Sequence, residues 1–108
     1  MREENVVVLV TCASRKEAER VARAVVEKKL AACVNVGTAP VKSVYRWKGK
    51  VETAQEFPLM LKSTRRKFAA LEKEIRRLHS YETPEIVALP IVAGSAAYLR
   101  WIVESVRE

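Results

Sequence analysis

The sequence predicts an α+β domain in which two helices cover one face of a four-stranded antiparallel sheet and a further helix closes the chain. Three observations lead there. β-branched runs alternate with segments of helical period in the order β-α-β-β-α-β, a Lys48-Gly49 pair separates the two central strand-like runs, and no stretch reads as a linker, repeat or low-complexity tract. At 108 residues, 49% hydrophobic and 31% charged, the chain suits one domain over 1–108 with a single core.

Val6-Val7-Val8-Leu9-Val10 is too short for a helix and too continuous for a one-sided surface strand, so it predicts a buried central strand. Ser14 and Glu17 then have capping-box spacing. Behind them Ala18, Val21, Ala22, Val25 and Val26 recur at helical intervals, with Arg20, Arg23, Glu27 and Lys28 on the other side. Ala31 to Val36 is again apolar, Gly37 to Pro40 marks a turn or bulge, and Val41 to Trp47 alternates with Val41, Ser43, Tyr45 and Trp47 on one face. Together these make a long, interrupted second strand.

Lys48-Gly49 supplies a residue able to take positive φ, so the chain turns back as a hairpin into a third strand, Val51 to Lys62. Pro58 lies within that strand; it cannot donate to a ladder and so demands an edge or a bulge. Thr64 is placed to cap a second helix in which Phe68, Leu71, Ile75 and Leu78 keep a three-four spacing. Arg65, Arg66, Lys73, Arg76 and Arg77 form its solvated face, and it ends near His79. Pro84 restricts Thr83 to an extended backbone and directs the chain into a fourth strand, Ile86 to Val92. Gly94-Ser95 introduces the last helix, with Leu99, Ile102, Val103 and Val106 on one face. The second sheet face, bearing Val, Leu and Met, is expected to be buried against other subunits.

Composition sets broader expectations. Nothing resembles a basic leader with a cleavage site ahead of Val6, and no apolar stretch is long enough to cross a bilayer. Cys12 and Cys33 are too few for a disulfide framework and sit in apolar runs as free thiols, so a cytoplasmic, reducing location is expected, with no membrane partner. The formal charge of +7, from 20 basic against 13 acidic residues, can attract nucleic acid, anionic metabolites or acidic proteins without choosing among them. Asn5, Asn35 and Gln55 are the only side-chain amides, a scarcity shared with hyperthermophilic proteins, which predicts a thermostable chain.

The motifs so placed resemble the CutA family of divalent-cation tolerance proteins. The resemblance rests on Lys29-Leu30-Ala31-Ala32-Cys33-Val34-Asn35, on Ser43-Val44-Tyr45-Arg46-Trp47-Lys48-Gly49-Lys50-Val51-Glu52, and on Glu56 with Leu61-Lys62-Ser63. It continues with the run from Leu78 through His79-Ser80-Tyr81-Glu82-Thr83-Pro84-Glu85 to Ile91, and closes on Tyr98-Leu99-Arg100-Trp101-Ile102. It implies a ferredoxin-like subunit assembled as a homotrimer, with copper (Cu2+) or other divalent metal ions as partners, and no enzymatic reaction. Three departures stand out. Ser80 replaces the family's usual proline and is expected to loosen the loop; Leu78 and Val10 occupy positions where some bacterial members carry a second histidine and a strand-1 cysteine; and Pro58 replaces an ordinary strand residue, where it is expected to alter an edge between subunits. Cys12 lies two residues beyond Val10, on the same side of the strand.

His79, the only imidazole, is the candidate metal ligand, since imidazole suits copper and zinc; its plainer role is to meet the negative end of the second helix. One histidine supplies one ligand, so a site would need further copies or a neighbouring carboxylate. Cys33 is a candidate soft ligand or a core thiol, and Tyr45 and Trp47 either stack a ligand or fill an interface. At family-matched positions, Glu56, Lys62, Tyr81, Glu82 and Glu85 are expected either to gather in an inter-subunit cleft or to form ion pairs between subunits.

Three other functions share this element order. An RNA-binding module would use sheet aromatics on a basic surface, but Lys50-Val51-Glu52-Thr53 and Glu56 stand where the aromatic strand belongs, which argues against nucleic acid. An acylphosphatase-type hydrolase would need a phosphate cradle that Thr11-Cys12-Ala13-Ser14-Arg15, without glycine, does not supply. A signalling trimer binding an anionic metabolite between subunits remains as a fold analogy.

Overall fold

The valine run does form the centre of the sheet. In the computed structural model, which describes residues 4–107, β1 (Asn5–Cys12) pairs antiparallel with β4 (Lys50–Thr64) on one side and β5 (Ile86–Pro90) on the other. Val6, Val8, Val10 and Cys12 are buried while Val7, Leu9 and Thr11 are half-buried, the two-residue period of a strand with different environments on its two faces. Beneath the buried set lie α1 (Arg15–Glu27) and α2 (Phe68–Leu78), whose Ala18, Val21, Val25, Leu71 and Ile75 complete the core with Leu59 and Leu61. Among the described residues no helix is long and apolar enough to cross a membrane.

The interrupted second strand becomes two, β2 (Cys33–Val36) and β3 (Val41–Trp47), both paired with the 15-residue β4. The sheet runs β2-β4-β1-β5, and β3 pairs with the distal half of β4. Lys48 (φ 51°) and Gly49 (φ 81°) close that pair as a two-residue turn of type I′, whose twist matches the strands it joins.

Pro58 lies in regular register within β4 and faces a bulge in the neighbouring segment. It sits inside β4 opposite Thr11 of β1, and its carbonyl accepts the Gly37 N–H at 2.9 Å. The nitrogen and carbonyl of one strand residue point the same way, so the missing donor of Pro58 falls where β2 gives way to the Gly37–Pro40 bulge and no ladder bond is lost. A methyl group on Gly37 would stand 2.7 Å from Pro58 Cγ, so the bulge needs glycine for close approach.

The second helix starts later than its sequence suggests. Thr64 is the extended last residue of β4 and makes no side-chain cap; a 3-10 turn, Arg65–Lys67, intervenes before Phe68. The helix ends at Leu78, with His79 as its C-cap. Strand β5 stops at Pro90, two residues short of expectation, and Val26, assigned to the core side of α1, is exposed.

Nor is the second sheet face bare. Register places Val7, Leu9, Cys33, Asn35, Met60, Lys62, Val87 and Leu89 on the face turned from α1 and α2. The C-terminal helix α3 (Ala96–Val106) lies over part of it, bringing the Tyr98 hydroxyl to 3.6 Å from Cys33 Sγ. Met60, Val87 and Leu89 stay exposed.

An ion cluster joins the two core helices: Glu74 of α2 accepts Lys28 Nζ at 2.9 Å and Arg77 Nη2 at 2.7 Å on Oε2, with Arg77 Nε at 3.1 Å on Oε1. Arg77 first, then Lys28, holds this carboxyl down at about 2 against an ordinary 4.5. Because the folded state binds the carboxylate form, its contribution is complete above the ordinary value and fades as pH falls toward 2. Acid unfolding followed by circular dichroism should therefore show Glu74→Gln losing less stability between those limits than wild type; parallel curves would contradict this. Gly37→Ala should lower stability by about 1–3 kcal/mol through overpacking. In a Pro58→Ala background, where the clashing ring atoms are gone, urea titration should show a smaller loss, and equal losses would place the strain elsewhere.

Candidate functional site

Three chain segments meet where β1 ends: the last β1 residue, Cys12; the first turn of α1, with Glu17; and the cap of α2, His79. The sequence brings them together by local rules. Ser14 Oγ accepts the Glu17 N–H at 3.1 Å and starts α1, but the Glu17 carboxylate turns inward and does not close a capping box. All three residues are buried, the His79 side chain completely and that of Glu17 to 7% exposure. Their ligand atoms lie within 4.8 Å of one another.

Hydrogen bonds fix the imidazole. The Tyr81 backbone N–H donates to Nδ1 at 3.1 Å, which makes Nδ1 the acceptor, so Nε2 carries the proton and donates to the Thr11 carbonyl at 2.7 Å. His79 is thus a neutral, doubly bonded clamp folded back onto β1, not a side chain lying free at a helix end. Its ring stands 4.8 Å from that of Tyr81. Through the Tyr81 amide it also ties down the loop that Ser80 was expected to loosen.

Glu17 is the anomaly. Its Oε2 is buried 3.5 Å from His79 Nδ1 and has no hydrogen-bond partner, a costly state for a carboxylate oxygen away from water. Burial, then the charge of Glu17, pushes the neighbouring Cys12 thiol up to about 12. Sulfur, carboxylate oxygen and imidazole nitrogen together form a donor set suited to a borderline transition ion such as zinc or copper and unsuited to magnesium or calcium. The residues present therefore fit such an ion, which Cys12, Glu17 and His79 would hold. Such an ion would compete with the Tyr81 amide for Nδ1 and replace the Cys12 proton.

Above the trio opens a cleft of about 760 Å3. Tyr45 and Trp47 of β3, Glu56 of β4, and Tyr81, Glu82 and Glu85 from the loop between α2 and β5 line it, with Thr11 on the β1 side. Burial first, then a hydrogen bond to Glu56, holds the Tyr81 phenol above its ordinary value, so it remains a donor. Within the one chain, Cys33 and Lys62 stand apart from this group. They face each other on β2 and β4 on the outer sheet face, where Cys33 meets Tyr98 and Lys62 bonds Asn35 Oδ1.

Sequence reasoning did not single out Glu17 as a site residue, because its spacing from Ser14 is explained by helix capping, and it assigned Cys12 to the core. The signal present was the phase shared by Val10 and Cys12 on β1, with Glu17 one turn into the helix that follows.

Comparisons with known proteins agree with this architecture. A family model described as "CutA1 divalent ion tolerance protein" matches residues 6–105. A divalent-cation tolerance protein CutA of Archaeoglobus fulgidus is 46% identical over 99 residues, covering 92% of this chain and 95% of its own length. The Homo sapiens Protein CutA is 45% identical over 93 residues, which cover 86% of this chain and 51% of that longer protein. Among solved structures, CutA from Archaeoglobus fulgidus superposes with a TM-score of 0.91 at 45% identity, covering 95% of this chain and 99% of that one. CutA1 from Oryza sativa gives 0.92 at 39%, covering 97% and 95%. With sequence, fold and family model in agreement along nearly its whole length, the chain belongs to the CutA1 divalent ion tolerance family.

Proposed function

We propose that this protein supports divalent-cation tolerance by binding a transition-metal ion, not by catalysing a reaction, with Cys12, Glu17 and His79 as the donors and copper or zinc as the ions they suit. The observation that carries this reading is the buried, unpartnered Glu17 Oε2 beside His79 Nδ1 and the Cys12 thiol. A cation there would satisfy the one buried side-chain oxygen of the trio that the protein leaves unpaired.

The same reading includes a homotrimer. Val44, Val51, Met60, Val87 and Leu89 are large apolar side chains left exposed on the hairpin and the outer sheet face, more than a small monomer needs to show water. The two free thiols fit a reducing, cytoplasmic setting; cell fractionation that recovers the protein elsewhere would remove that part.

Nucleic acid is not favoured: the hairpin aromatics open onto Glu56, Glu82 and Glu85, which repel phosphate.

Calorimetry with zinc and with copper should show one ion per chain, and Glu17→Gln, which keeps the side chain's shape, should weaken binding by about 10–100-fold or more. Cys12→Ser should do the same, and isotherms unchanged in both variants would refute the trio as the site. Light scattering should give three times the 12.2 kDa subunit mass; a mass near one subunit at micromolar concentration would exclude the trimer.

A further inference from the structure

The net charge of +7 predicts a surface that attracts anions, yet the cleft beside β3 has the opposite sign. Glu56, Glu82 and Glu85 line it against a single cation, Arg46, whose guanidinium is turned to the Gly49 carbonyl at 3.4 Å. Glu56 is more than nine-tenths buried there. A negative pocket on a positive protein disfavours the anionic metabolites that overall charge would suggest and selects for cations.

The walls decide what kind of cation. Among the described residues these three carboxylates do not form a ligand cluster for a metal ion; the one group that does is the buried trio below. They are set apart around a cleft of about 760 Å3, within the usual size range of small-molecule sites. The same cleft is lined by the aromatic residues Tyr45, Trp47 and Tyr81. Spaced carboxylates with aromatic faces complement a bulky, weakly hydrated organic cation, whose charge interacts with ring quadrupoles and whose body replaces water. The Trp47 ring already engages one ammonium, Lys48 Nζ, 5.8 Å from its centroid.

We propose that this cleft binds an organic cation, an ammonium or guanidinium group carried on an apolar body, with Tyr45 and Trp47 stacking the cation and Glu56, Glu82 and Glu85 balancing its charge. This is a second site, separate from the metal reading and not dependent on it. Tyr81 serves both, since its amide bonds His79 and its side chain lines the cleft.

The test uses the metal-stripped full chain with Trp101→Phe, which leaves Trp47 as its only tryptophan. Benzyltrimethylammonium should change Trp47 fluorescence saturably and bind about tenfold more tightly than benzyl alcohol, while benzoate should not bind. Glu82→Gln and Tyr45→Ala should each weaken the cation, and Glu17→Gln, which removes a proposed metal donor, should leave it unchanged. Comparable binding of benzoate, no saturable response to the cation, or its displacement by magnesium chloride at matched ionic strength would each overturn the proposal. Loss of metal binding in Glu17→Gln with the cation still bound would leave both readings standing separately.

Discussion

The eight-pair antiparallel contact between β1 and β4 is the constraint from which the rest of the structure follows. It runs from Asn5 opposite Thr64 to Cys12 opposite Phe57, so the end of β1 is delivered beside the segment of β4 that carries Glu56. With side chains alternating across the sheet, this register sends Val6, Val8, Val10 and Cys12 toward the helices and Val7, Leu9 and Thr11 away. A slip of one residue would exchange the two sets, exposing the core valines and removing Cys12 from Glu17 and His79 together. Stability of the core and assembly of the site thus depend on the same ladder.

Two buried side-chain oxygens among the described residues have no partner, Asn5 Oδ1 at the start of β1 and Glu17 Oε2 beyond its end. Other buried polar groups are satisfied, as where Ser63 Oγ donates to the Leu30 carbonyl at 2.7 Å, or where Glu74 is shared between Lys28 and Arg77. At the end of β1 a carboxylate oxygen, a thiol and an imidazole are buried together and one oxygen has no partner. What sets the Glu17 oxygen apart from that of Asn5 is its company, since a local cost carried by a cluster of ligand-type side chains is what a binding function leaves behind. Tyr81 touches both levels, with its amide on His79 and its side chain on the cleft wall.

The same loop shows why chain-wide charge is a poor guide to ligands. Most of the basic residues on α2 lie on its solvated face, whereas Glu56, Glu82 and Glu85 converge only because the β3–β4 hairpin folds toward the α2–β5 loop. Local potential is set by which side chains share a concavity, and a sum over the sequence averages that away.

Hydrophobic period and local turn residues were enough to determine the order of elements apart from the split of the second strand, the burial of β1, the Lys48-Gly49 turn and the end of α2, because each depends on neighbours within a few residues. Family membership was legible in the same way, in runs such as His79 to Ile91. The bulge opposite Pro58, the late start of α2 after Thr64, the cover that α3 gives the outer face, and the distance of Cys33 and Lys62 from the cleft within one chain were decided by pairing between distant segments. The meeting of Cys12, Glu17 and His79 is the clearest case. Glu17 looks like a helix cap from its spacing to Ser14, and only the return of α2 to the end of β1, more than sixty residues later, turns its carboxylate into part of a site.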